Sequence, residues 1–136
     1  AINKAAKLGN LEIVKMLFEA GADPNIGSFD GGDTALMQAS VKGYIPVIKY
    51  LIENVKVDIN QTNNLGDTAL SIACFWGQVE AVKYLLSKGA DSEILNHSEK
   101  LAGEEFDDLH EAEGADAVRK ILQEHRTEKG LIIEEE

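Results

Sequence analysis

The chain has one cysteine, one tryptophan and 6% aromatic residues. A single cysteine, Cys74, excludes an internal disulfide, and none of His97, His110 or His125 forms a metal-ligand cluster with it. No apolar run approaches the 18 or so residues of a membrane-spanning helix. No signal peptide is visible. Ala1 falls inside a helical pattern and no initiator methionine is present, so the natural chain is expected to begin earlier. Basic residues are scarce, 13 Lys and Arg against 24 Asp and Glu, for a net charge of −11. Phosphate contacts need clusters of Lys and Arg, so nucleic acid is not expected as a partner. A G-x-S-x-G elbow, a P-loop and a dinucleotide fingerprint are all missing, and no Ser–His pair is fixed by any motif. His110 beside Asp107, Asp108 and Glu111 resembles a ligand set, but lies in a strongly acidic stretch that reads as a solvated helix face. No catalytic residue, metal site or cofactor is assigned, and no enzyme activity is expected.

What is present is a repeat. Gly32-Asp33-Thr34-Ala35-Leu36 returns unchanged at Gly66-Asp67-Thr68-Ala69-Leu70, 34 positions later. After the first come Ala39, Gly43, Ile45, Ile48, Leu51 and Ile52; after the second come Ala73, Gly77, Val79, Val82, Leu85 and Leu86. The same frame, shifted back, holds Ile2, Ala5, Gly9, Leu11, Val14, Leu17 and Phe18. A looser copy holds Phe106, Leu109, Ala115, Val118, Ile121 and Leu122. Each copy carries two apolar stripes at helical spacing with a break between them. Periods of 20 to 50 residues belong to stacked units rather than to one globular core. The unit is therefore two antiparallel helices, buried mainly by its neighbours. Gly9, Gly43 and Gly77 sit where the chain reverses; Thr34 and Thr68 are placed to cap the following helix; Gly21 and Gly89 suit a left-handed helix end.

The segment "GDTALSIACFWGQVEAVKYLLSKGAD" resembles an ankyrin repeat, as do "GDTALMQASVKGYIPVIKYLI" and "AINKAAKLGNLEIVKMLFEAGADPN". The resemblance implies an all-α solenoid of helix-turn-helix units joined by outward-pointing hairpin loops. It divides the chain into a truncated repeat at 1–27, repeats at 28–60 and 61–93, a degenerate capping repeat at 94–126 and an acidic tail at 127–136. Ala35 and Ala69 replace the family proline, and Met37 and Ser71 replace its histidine. The second copy closes on Glu53-Asn54-Val55-Lys56-Val57-Asp58, one residue longer and without glycine, so Asn54 is expected to take the left-handed position. An extra residue before Phe29 is expected to distort the hairpin there.

The resemblance also implies where binding would occur. Phe75 and Trp76 precede Gly77 outside the apolar stripes, where Lys7-Leu8 and Val41-Lys42 stand in the other copies. In the family this place lies on the concave groove, and large aromatics there suit binding anchors; the alternative is that Trp76 packs beneath the acidic C-terminal copy. Asp30, Asp33, Asn64, Leu65 and Asp67 fall at the hairpin tips, with Met37 and Ser71 below them. The expected activity is protein binding through the groove and tips by Asp30, Asp33, Met37, Val41, Lys42, Asn64, Leu65, Asp67, Ser71, Phe75 and Trp76. The expected partner is a protein or peptide of basic and apolar character, met by an intracellular, non-membrane monomer. Alternatives are a nucleotide-like ligand stacked on Trp76, with Lys42 as its nearest cation, and a structural tether within a larger protein.

Other signals have plainer readings. Residues 1–92 hold 8 basic and 10 acidic residues, and 93–136 hold 5 and 14, so the charge belongs to the C-terminal third, as a solubilising cap or an acidic patch. Lys15, Lys49, Lys83 and Arg119 form a column on the second helices, and Glu12, Glu80 and Asp116 stand three residues before three of them, as expected of ion pairs. Met16, Tyr50 and Tyr84, one position on, are expected to pack between repeats with the tyrosine hydroxyls in water. Cys74 is expected to be buried. Asn25 and Asn60 match a hairpin asparagine that is hydroxylated in some ankyrin proteins, with bonding inside the loop as the structural alternative. Leu131-Ile132-Ile133 followed by Glu134-Glu135-Glu136 resembles a motif that binds ubiquitin-like modifiers by strand addition.

Overall fold

The structure is a computed structural model describing residues 2–27, 31–92, 94 and 115–128. Its helices are α1 (Ile2–Lys7), α2 (Leu11–Glu19), α3 (Ala35–Lys42), α4 (Ile45–Tyr50), α5 (Ala69–Phe75), α6 (Val79–Ser87) and α7 (Ala115–Glu128). Each short apolar stripe of the first kind becomes an inner helix, α1, α3 and α5, and these pack side by side in that order. Each second stripe becomes an outer helix, α2, α4 and α6, packed on its own inner helix and on the next outer one. Ala6, Val14, Ala39, Ile48, Leu51, Leu70, Ala73, Val82 and Leu85 are buried in one continuous core. The residues just before Phe29, where the hairpin is expected to be distorted, lie in part outside the described residues, as do Phe106 and Leu109 of the degenerate copy and residues 129–136 of the acidic tail, whose first two residues, Thr127 and Glu128, belong to α7.

The capping residues act as the sequence predicts. Thr34 Oγ1 accepts from the Met37 N–H at 3.3 Å, and Thr68 Oγ1 accepts from the Ser71 N–H at 3.2 Å. An N-cap bond of this kind is worth about 1 kcal/mol. The substituted histidine position makes its own local bond: the Thr34 N–H reaches the Met37 sulfur at 3.4 Å, and the Thr68 and Ser71 hydroxyls are 3.2 Å apart. Gly43 has φ 68°, and the Gln78 side chain occupies the space a Cβ would need. Backbone shape and the approach of the next repeat both demand glycine there.

The longer second copy departs from expectation. Its outer helix widens into a π-helical turn over Leu51–Val55, and Lys56, not Asn54, takes the left-handed conformation with φ 60°. The wide turn absorbs the extra residue while Leu51 stays buried. Asn54 lies within that turn, so the reversal is passed on to Lys56, whose N–H returns to the Leu51 carbonyl.

Among the described residues the connecting loops are turns without β-strands. They are tied to one another. Asn64 N–H donates to the Gly31 carbonyl at 3.0 Å, Gln61 Nε2 to the Asn25 carbonyl at 2.7 Å, and Asp91 N–H to Asn60 Oδ1 at 2.9 Å. The Asn60 side chain is thus bound to the next loop rather than within its own.

Candidate protein-binding face

The inner helices leave one face open. α3 and α5 run away from their capping threonines, so the last residue or two of each inner helix, followed by glycine, forms a row at one end of this face. Leu8, Lys42 and Trp76 occupy equivalent positions in that row, and all three are exposed. Trp76 is 48% exposed and Leu8 66%. Trp76 forms the C-terminal cap of α5, its ring edge-on to Phe75 with centroids 5.4 Å apart and planes at 84°. An edge-to-face pair fixes the ring orientation and contributes about 0.5–1.5 kcal/mol. Phe75 and Val41 are half-buried beside this row, forming its apolar floor.

The loop end of the face is organised by a residue the sequence did not single out. Asn63 Oδ1 accepts from the N–H groups of Leu65 at 2.9 Å and Asp67 at 3.0 Å, and its Nδ2 donates to Asp33 Oδ1 at 2.8 Å. Asp33 also receives the Asn3 side-chain amide on its carbonyl at 3.0 Å. Asp33 and Asp67 are consequently half-buried members of the loop scaffold. Asn64 is exposed and Leu65 is 66% exposed at the tip, while Ser71 is half-buried against Thr68.

Met37 does not belong to the accessible face. It is 1% exposed and sits in the core, because its sulfur turns back to the capping Thr34 N–H. Asp30 lies outside the described residues. The structure therefore brings Val41, Lys42, Phe75 and Trp76 together on the inner helices and Asn64 and Leu65 at a tip, with Asp33, Asp67 and Ser71 between. Leu8 was missed; its signal was its position in the same column as Trp76.

The outer face differs from the expected ladder of ion pairs. Lys83 meets Glu80 at 3.7 Å as expected, but Lys15 lies over the Tyr50 ring, and Lys49, for which no pair is expected, lies over the Tyr84 ring, each 5.7 Å from the centroid. Tyr84 also carries Lys88, which pairs with Glu53 at 3.3 Å. The Tyr84 hydroxyl is enclosed rather than in water, with the Glu53 carboxylate as its polar neighbour. Its burial raises the phenol pKa, and the polar contacts of Glu53 with Tyr84 and then Lys88 lower that carboxyl's. Met16 is exposed rather than packed between repeats.

Cys74 is buried on α5, and the loss of solvation pushes its thiol up to about 12. Such a thiol is a packing group, not a nucleophile. No cluster of three or more His, Cys, Asp or Glu among the described residues could hold a metal ion, and no described helix is long and apolar enough to cross a membrane.

A family profile for ankyrin repeats, in three copies, matches residues 2–96. The chain is an ankyrin-repeat protein. Ankyrin repeats are generally protein–protein interaction modules, typically without catalytic chemistry. The matched region covers all three helix pairs from α1 to α6 and both ends of the open face. A search of curated proteins returned no match.

Proposed function

We propose that this ankyrin-repeat chain binds a partner protein along the open face of its inner helices and the adjoining loop tips, as a non-enzymatic adaptor inside the cell. The observation that carries the reading is Trp76. The only tryptophan of the chain stands half-exposed, held edge-on by Phe75, at a position where the other two repeats need no aromatic. Exposing a large ring costs solvation that packing does not recover, and tryptophan is the residue most enriched among interface anchors. Val41 lies beside the row that holds Trp76 and Leu8 at its far end, with Leu65 exposed at the opposite, loop end; exposed apolar residues among polar ones are the anatomy of a protein interface.

The test is a crosslinking pull-down with the chain and with its Phe75→Ala/Trp76→Ala variant, matched for helicity by circular dichroism. Proteins recovered only with the unaltered chain support the reading. An identical set from both would remove the aromatics from the interface and leave the acidic C-terminal segment as the search area.

A further inference from the structure

We propose that the open face takes an acidic, apolar segment of the partner, read as apolar–acidic–apolar by Leu8, Lys42 and Trp76. The inference rests on the groove reading and reverses the charge expected of the partner from the loop tips. Its basis is how charge is divided between the two faces. The three inner helices contain no Asp or Glu, although the chain as a whole carries 24 of them. They do carry Lys4, Lys7 and Lys42, all exposed. The outer-face lysines are committed: Lys83 to Glu80, Lys88 to Glu53, Lys15 to the Tyr50 ring and Lys49 to the Tyr84 ring. Among the described residues neither ion pair and none of the lysine–ring contacts involves Lys4, Lys7 or Lys42. The acidic tip argues less strongly, because the Asp33 carboxylate already receives Asn63. The charged side chains carried by the inner helices are therefore all positive on a molecule that is negative overall, and complementary charge selects a partner's register and speeds its approach.

The row also sets a spacing. Packed helices lie about 8–10 Å apart, so Leu8, Lys42 and Trp76 recur at roughly that interval. A partner extended as a polyproline II helix, with three residues per turn and about 3.1 Å per residue, would place an apolar residue, an acidic one and a second apolar one three positions apart on one side. A helical partner turns the same face back every seven residues, nearly two turns rising about 10.5 Å, slightly more than this interval. Three lysines on a chain of net charge −11 are too few to neutralise a phosphate backbone, so a peptide is favoured over a nucleic acid.

The experiment selects a displayed library of random 12-residue peptides on the whole chain, then measures labelled winners, and a single-stranded oligonucleotide, by fluorescence anisotropy. Winners are expected to combine Asp or Glu with flanking apolar residues at one of these spacings. Lys42→Glu should weaken them about tenfold, added salt should weaken them too, and Lys83→Glu on the outer face should not. Net basic or uncharged winners that still depend on Trp76 would overturn the charge assignment and leave the groove reading standing. Winners indifferent to both Leu8→Ala and Trp76→Ala, or no Trp76-dependent winner, would overturn both. Tighter, Lys42-dependent binding of the oligonucleotide would replace the peptide with a nucleic acid.

Discussion

At the scale of single residues, position within the repeat decides between packing and exposure. Cys74 in α5 and Trp76 at its C-terminal cap are two residues apart, yet one is buried and the other half in solvent. The thiol pKa of Cys74 is raised by burial, so the folded chain stays protonated where the unfolded chain ionises. The stability gained is complete below the ordinary thiol pKa and is lost as pH rises toward about 12. Above about pH 9, unfolding free energy should fall by about 1 kcal/mol per pH unit more than in Cys74→Ala; parallel urea titrations of the two would contradict this. Cys74 was legible because it aligns with the small buried Ser40. Met37 was not, because it replaces a position expected near the surface, and only the turn of its sulfur to the Thr34 N–H carries it inside. Leu8 was overlooked because its exposure depends on the end of α1, not on its hydrophobicity.

At the scale of elements, the helices were legible and the loops only in part. Apolar spacing, Thr caps and reversing glycines are local signals, and they place α1 to α6. The extra residue of the second copy was visible, but its resolution was not. A π-helical turn depends on keeping Leu51 in a core made by neighbouring repeats, which a single segment does not reveal. The loop built around Asn63 likewise depends on Asp33 of the preceding repeat. Asn63→Ala removes three side-chain hydrogen bonds at once, two of them to backbone N–H groups. It should cost about 1–3 kcal/mol in urea unfolding, whereas Asn64→Ala, which keeps its backbone bond to Gly31, should change stability by less than about 0.5 kcal/mol. Equal effects of the two would show that Asn63 does not organise the loop.

At the scale of the whole molecule, stacking separates two faces with different tasks. α7 packs on both α5 and α6, burying Val118 and Leu122, and so covers the C-terminal end of the stack. End repeats of such arrays need a polar outer side, and the acidic residues beyond Ser92 are concentrated at this end of the sequence. The outer face is laced by lysine–tyrosine contacts and two ion pairs, each worth no more than about 1 kcal/mol where exposed. The inner face keeps its lysines and its tryptophan open to solvent. Repeat spacing made the architecture readable, since 34 residues is long enough for one helix pair and its loop. The division of charge between faces was less readable, because it appears only once inner and outer helices are told apart. The most direct test of binding on the inner face is photocrosslinking from two positions. A photoreactive phenylalanine analogue replaces Gln38, half-buried on inner helix α3, or Glu12, exposed on outer helix α2. Partner adducts should form from position 38 and fall away when Trp76 is also replaced by Ala; adducts from position 12 alone would contradict an inner-face interface.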